Sequence, residues 1–230
     1  MAERTEIRFY GRRHGRQLRP ARRRLISEIL PLLEISPDRT AENHQFDSAP
    51  EHLWMEIGFG AGEHLATLVK DYPGVGFIGC EPFINGVASL LAKIEAGDEA
   101  GPPKNLKIFP DDARLLMPHL PANAFERIYA LFPDPWPKTR HHRRRLMSPS
   151  NLDQFARLLR PGGLLRFASD HMEYVRWTLW HVGRHPKFEW LAEGPEDWRQ
   201  RDRDSIPTRY ESKALARGEV CVYLTFRRCD

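Results

Sequence analysis

Residues Leu131 to Arg145 read LFPDPWPKTRHHRRR, which sets one carboxylate, Asp134, among three prolines and directly ahead of a dense block of cations. A carboxylate on a restricted backbone suits electrostatic catalysis or hydrogen bonding to a substrate, and a block of cations suits phosphate. Proline fixes its own φ and pushes the residue before it toward extended geometry, so Asp134 and Trp136 are both expected to be extended, with little freedom left to lose. DPWP alone would read as a proline-rich turn with Trp136 packed as a lid. The next eight residues change that reading: Lys138, Arg140, Arg143, Arg144 and Arg145 stand with His141 and His142 and with no acid between 138 and 145. A solvated helix face normally mixes signs.

A second cationic block lies in the first 24 residues, where Arg4, Arg8, Arg12, Arg13, Arg16, Arg19, Arg22, Arg23 and Arg24 are opposed only by Glu3 and Glu6. The whole chain has a formal net charge of +4, so everything outside the two blocks is net negative. Positive charge segregated in this way attracts a polyanion, and arginine is favoured over lysine where phosphate is held bidentately or bases are stacked. A disordered basic tail is the plainer alternative for the amino terminus. A membrane-surface helix is weak, because no continuous apolar face accompanies the arginines.

The second chemical constellation is Glu56-Ile57-Gly58-Phe59-Gly60-Ala61-Gly62, a glycine-rich turn whose alternate glycines let backbone approach a nucleoside closely. A dinucleotide site would want glycine three residues after Gly60, where Glu63 would instead repel a pyrophosphate. An adenosyl ligand without phosphate tolerates acids, and S-adenosylmethionine, a sulfonium cation, fits with Glu56 as counter-charge. Glu81 is placed to accept both ribose hydroxyls, and Asp112 to meet the adenine amino group. Any one of these acids alone would be an ordinary cap or turn residue.

The elements that must position these residues alternate. Strands are expected at 52–57, 76–80, 106–109, 127–132 and 164–168, and helices at 63–70, 84–95, 151–159 and 174–182. Residues 220–226 (VCVYLTF) read as a final strand, pairing as a hairpin with 188–191. Repeated strand–helix units imply an α/β fold with a mostly parallel sheet and ligands at the carboxyl ends of its strands. Flexible stretches are expected at the basic amino terminus, around 38–50 and at 193–212.

Length and composition agree. At 230 residues and 41% hydrophobic, the chain can bury one substantial core, read as a domain over 46–230 behind a basic, partly flexible extension over 1–45. No apolar run approaches the ~18 residues of a membrane span, and the arginine-rich start lacks a signal-peptide core. Cys80, Cys221 and Cys229 make neither a C-x-x-C pair nor an even set, which suits a reducing cytoplasm. His141 and His142 are adjacent, and His14, His44, His64 and His119 are isolated, so no metal site is indicated.

Together these motifs resemble the bacterial tRNA (guanine-N7-)-methyltransferases over nearly the whole chain. The resemblance is carried by EIGFGAG at 56–62, Glu81, Asp112-Ala113, FPDPWPKTRHHRRR at 132–145, Ala168-Ser169-Asp170 and Thr208-Arg209-Tyr210-Glu211. It implies a class I S-adenosylmethionine-dependent methyltransferase fold, Rossmann-like, with a seven-stranded sheet whose last strand is antiparallel. The implied reaction is methyl transfer to N7 of guanosine 46 in the tRNA variable loop. By the same resemblance Glu56, Gly58, Gly60, Gly62, Glu81, Asp112 and Asp134 form the cofactor site, with Asp134 also catalytic. Lys138, Asp170, Thr208, Arg209, Tyr210 and Glu211 match substrate-binding positions, and Arg140, His141, His142, Arg143, Arg144 and Arg145 match an RNA-contacting stretch. A methyltransferase for another RNA, a protein or a metabolite would share the glycine loop and Glu81 without needing two arginine blocks. A non-catalytic RNA-binding protein would need the blocks without the acids.

Overall fold

The computed structural model describes residues 9–37, 46, 50–97, 101–201 and 205–230. Expectations for Arg4, Arg8, His44 and most of the 38–50 stretch lie outside the described residues. Along the chain come α1 (Pro20–Glu28), α2 (Leu30–Leu33), β1 (His52–Ile57), α3 (Glu63–Asp71), β2 (Val75–Cys80), α4 (Ile84–Gly97), β3 (Leu106–Phe109), α5 (Ala113–Leu116) and β4 (Phe125–Leu131). After a 3₁₀ helix at Thr139–Arg144 come α6 (Pro149–Leu158), β5 (Leu159–Ser169), α7 (Met172–Val182), β6 (Phe188–Trp190), α8 (Glu196–Arg199), α9 (Arg209–Ala216) and β7 (Val222–Arg228).

The strands form one sheet in the order β3-β2-β1-β4-β5-β7-β6, parallel except for β7, which runs antiparallel to β5 and β6. Its hydrophobic strands are covered on both faces, as parallel sheets require. Alternation along β1 sends Leu53, Met55 and Ile57 into one core with α5, α6 and α7, and Trp54 into the other with α1, α3 and α4. Strand order reverses between β1 and β4, which are direct neighbours with Glu56 opposite Tyr129. That reversal opens a crevice at the strands' carboxyl ends. It brings the glycine loop after β1 beside the proline loop after β4.

Each expected strand and helix is present, with ends shifted by a few residues. The largest difference is β5, which starts at Leu159 rather than 164. α6 ends at Leu158, ahead of Pro161-Gly162-Gly163, and Gly162 at φ +79 turns the chain within β5. Phe125 pairs with Leu159 and Arg127 with Leu164, so the β4–β5 register shifts there by three residues.

Two stretches expected to be flexible contain helices. In the amino-terminal region α1 is anchored by buried Leu25 and by Arg22, which donates to the Ala88 carbonyl at 2.7 Å, while Arg24 pairs with Glu95 of α4. Leu30, Leu33 and Ile35 are buried as well, and Ile35 N–H donates to the Ile108 carbonyl at 2.9 Å, covering the edge of β3. In the 193–212 stretch, α9 begins with a capping box: Thr208 Oγ1 accepts the Glu211 N–H at 3.1 Å and Glu211 accepts the Thr208 N–H at 3.2 Å.

Candidate active site

The crevice is a cleft of about 380 Å³. Gly58 and Gly60 (φ +74 and +57) form one wall, with Glu81 and Asp112 from the ends of β2 and β3 beside them. Asp134 and Trp136 line the cleft too, and Tyr210 of α9 reaches in, its ring 3.3 Å from where a Cβ on Gly60 would stand. Left-handed backbone at successive glycines leaves this wall without side chains. Gly62 (φ +77) does not line the cleft. It sits at the N-cap of α3, where a Cβ would meet Leu90 at 2.7 Å, so its part is to set the helix.

Glu81 ties the two strand ends together. Its Oε2 accepts the Gly60 N–H at 2.7 Å and its Oε1 the Phe83 N–H at 2.9 Å. Desolvation by burial nevertheless pushes its carboxyl from 4.5 up to about 7, with Asp134 and Glu56 adding to the rise. Asp112 caps α5 through the Arg114 N–H at 3.0 Å and holds the Arg114 guanidinium as well. Asp134 is accessible from solvent, but the protein crowded around it partly desolvates the carboxylate and raises its pKa.

The direct cofactor contact expected of Glu56 is not what the structure shows. Glu56 is buried behind the loop with its carboxylate 2.8 Å from His64 Nδ1, and it is not among the residues lining the cleft. Its negative charge reaches the site only at a distance.

The proline loop also differs from expectation. Trp136 has φ +44 rather than an extended backbone, and Phe132 has φ +51. Left-handed geometry at non-glycine residues costs on the order of 1–3 kcal/mol each and persists only where surroundings enforce it. Phe132 N–H donates to Ala168 O at 2.8 Å, and the Trp136 ring lies edge-on to Tyr10 and His141 with the Arg144 guanidinium 4.9 Å from its centre.

Of the basic segment, Lys138, Arg140 and Arg143 are exposed. Arg145 is not available to RNA: its side chain is fully buried against Glu173. His142 is also turned inward, 5.2 Å from Trp177 and 3.7 Å from Glu173. Arg144 sits over Tyr10 and lines the cleft, and His141 leans on Trp136.

The expected substrate residues separate into three places. Tyr210 is in the cleft, and Arg209 is exposed beside it in sequence. Glu211 is buried and fully engaged, accepting from Arg201 and from Tyr223 Oη, both at 2.6 Å, as well as from its cap, so a direct substrate contact by Glu211 is not supported. Thr208 caps the same helix. Asp170 lies outside the cleft lining, 3.4 Å from Arg217.

Sequence reasoning missed one wall of the cleft. Phe9, Tyr10, Gly11 and Arg12 line it. This arm is moored by Asn85, whose Oδ1 accepts the Gly15 N–H at 2.8 Å and whose Nδ2 donates to Arg16 O at 2.7 Å, and by an Arg13–Asp111 ion pair at 2.8 Å. The aromatic pair Phe9-Tyr10 ahead of the arginines was the available signal. Arg114, which also lines the cleft, had none.

Comparison with known proteins agrees with this geometry. The family model Methyltransf_4, described as “Putative methyltransferase”, matches residues 50–224. Proteins named tRNA (guanine-N(7)-)-methyltransferase are similar over almost the full chain. The one from Rhodospirillum rubrum is 49% identical, over 97% of this chain and 88% of its own. That from Ruegeria pomeroyi is 46% identical, over 99% and 97%. The chain belongs to the tRNA (guanine-N7-)-methyltransferase family. Solved structures place the fold more broadly. An antibiotic-related methyltransferase superposes with TM-score 0.52 at 19% identity, covering 84% of this chain and 93% of that one. A variant of a 16S rRNA (adenine(1408)-N(1))-methyltransferase from Catenulisporales acidiphilia gives 0.53 at 14% identity, covering 85% and 92%. As a member of the tRNA (guanine-N7-)-methyltransferase family the chain carries the class I sheet, with β7 as the antiparallel strand. Among the described residues no helix is long and apolar enough to cross a membrane, and no group of three or more His, Cys, Asp or Glu is placed to hold a metal ion.

Proposed function

We propose that this protein methylates N7 of guanosine 46 in the variable loop of tRNA, using S-adenosylmethionine, in the cytoplasm. The observation that carries the reading is one cleft lined by Gly58, Gly60, Glu81, Asp112 and Asp134, next to a loop that continues into exposed Lys138, Arg140 and Arg143. The residues fit the cofactor. A bare glycine wall admits a nucleoside, buried Glu81 can accept the ribose hydroxyls, and the acidic lining suits a sulfonium while Glu63 at the start of α3 opposes a pyrophosphate. S-adenosylmethionine supplies the activated methyl group.

Guanine N7 presents a neutral lone pair, so no residue has to remove a proton from it before attack. The work left to the protein is alignment, worth several kcal/mol in well-oriented reactions. Asp134, partly desolvated at the cleft mouth, stabilises the positive charge that builds on the purine and can hold the guanine N1–H and amino group against adenine. We assign the charge stabilisation to Asp134 and a substrate contact to Asp170, which is ion-paired with Arg217 and does not line the cleft. Tyr210 and Trp136 offer flat surfaces to an extracted base. The described residues 9–37, docked on α4 and β3, support a basic amino-terminal extension over 1–45 that completes the cleft of a domain over 46–230.

The test is incubation with methyl-labelled S-adenosylmethionine and bulk tRNA, then borohydride–aniline cleavage, which cuts at N7-methylguanosine. Cleavage at the variable-loop guanosine is the expected result. Labelled tRNA without that cut would move the target, and unlabelled tRNA with retained cofactor binding would point to a protein or metabolite substrate.

A further inference from the structure

Arg145 ends the basic run, yet it faces the opposite way from the arginines before it. Its Nε donates to the carbonyl of Pro135 at 2.9 Å and its Nη2 to that of Trp136 at 3.4 Å. The same guanidinium grips both carboxylate oxygens of Glu173 in the first turn of α7, through Nη1 at 3.0 Å and through Nη2. The rings of Tyr174 and Trp177 lie about it, centred 5.0 and 4.9 Å away, and Trp177 Nε1 donates to Met147 O at 2.8 Å, fixing the chain just beyond. One buried side chain therefore joins α7 to the two residues immediately after Asp134.

We propose that Arg145, with Glu173 as its partner, is a positioning residue that holds the 132–138 loop in its left-handed turn and thereby aims Asp134, and that it takes no part in binding RNA. The inference rests on the proposed catalytic role of Asp134. Trp136 at φ +44 and Phe132 at φ +51 need outside support, and the carbonyls Arg145 holds belong to Trp136 and to the residue before it. The planar fork of a guanidinium supplies the four bonds made here, to two carbonyls and both carboxylate oxygens, whereas an ammonium has three donors on a single atom. Glu173 keeps 45% of its side chain exposed, so removing Arg145 lets that carboxylate rehydrate rather than leaving a buried, unpaired charge.

The decisive comparison is Arg145→Lys, Arg145→Met and Arg143→Ala, read by steady-state tRNA methylation, by the salt dependence of tRNA binding, and by hydrogen exchange over 132–146. For both Arg145 variants kcat is expected to fall about 100-fold, the cost of a misplacement near 1 Å. The KM for tRNA should stay within about twofold and the salt slope should not change, while the amides of Phe132 and His141, which donate to Ala168 O and Lys138 O at the two ends of the loop, exchange faster. Arg143→Ala should do the reverse, reducing the slope by roughly 0.7 with the loop still protected. Exchange in β1 and β2 reports whether the sheet is intact; if Arg145→Met loosens it, Arg145→Lys carries the comparison. A reduced salt slope with unchanged loop exchange would overturn the proposal. Faster loop exchange with undiminished kcat would overturn the aiming of Asp134 while leaving the family's reaction in place, since product would still form at N7.

Discussion

The carbonyl of Gly60 lies so close to Gly86 that a Cβ on Gly86 would collide with it, and the same Cβ would stand 3.3 Å from the Glu81 side chain. The first turn of α4 is thus packed directly on the back of the glycine loop. Gly86→Ala should push that loop toward the cleft. Overpacking of this kind costs about 1–3 kcal/mol, so a lowered midpoint in denaturant and a loss of cofactor affinity on the order of tenfold are expected from unfolding curves and calorimetry.

The Glu81 carboxyl, at about 7 in the folded protein against 4.5 unfolded, sets a pH dependence. Between those values the native state holds more protons than the unfolded one, so ligand-free stability should fall as pH rises through that window and level off above it. Ribose hydroxyls donate to the ionised form, so cofactor affinity should rise over the same range with a midpoint near 7. Glu81→Gln should abolish both trends; a titration of binding and of melting temperature from pH 5 to 8.5 checks them together.

Asp134→Asn keeps the shape of the loop and removes its charge. Binding of tRNA and of S-adenosylmethionine should change little, while kcat should fall by about 10²-fold or more, the usual scale for losing one preorganised electrostatic group. Full turnover in a variant that binds both ligands normally would remove Asp134 from the chemistry.

Asn85 moors the amino-terminal arm at both Gly15 and Arg16. Asn85→Ala should free the wall formed by Phe9 to Arg12 and raise the dissociation constant for the cofactor roughly tenfold, from two bonds each worth about 0.5–1.5 kcal/mol. Proteolysis near Arg12 and Arg13 should accelerate in parallel.

The sheet and the acids at its strand ends were legible because both arise from local pattern. Alternating and continuous apolar runs mark the strands, and parallel strands bring their carboxyl ends together, which is why Glu81, Asp112 and Asp134 could be placed in one site. What was not legible depends on distant partners. Glu56 meets His64 through the fold of the loop, Arg145 finds Glu173 across 28 residues, and α1 is held by one leucine, Leu25, and by Arg22 and Arg24 reaching α4. Counted along the chain, Arg145 is one more cation; only packing turns it inward. Thr208 and Glu211 did carry a local signal, T-x-x-E, whose capping meaning lay beneath the family resemblance.

The position of β7 between β5 and β6 also orders assembly. β6 precedes β7 in the chain, yet among the described residues its sheet partner is β7, so it has no place in the sheet until residues 222–228 have been laid on β5. The border waits for the pairing of β5 with β7, which joins residues 53 to 63 apart, as the centre of the sheet waits for that of β1 with β4, 73 apart; both are long-range contacts of the kind that slows folding. Glu211, bonded to Tyr223 of β7, ties α9 to that same step, so Tyr210 reaches its place over Gly60 only when the sheet is closed.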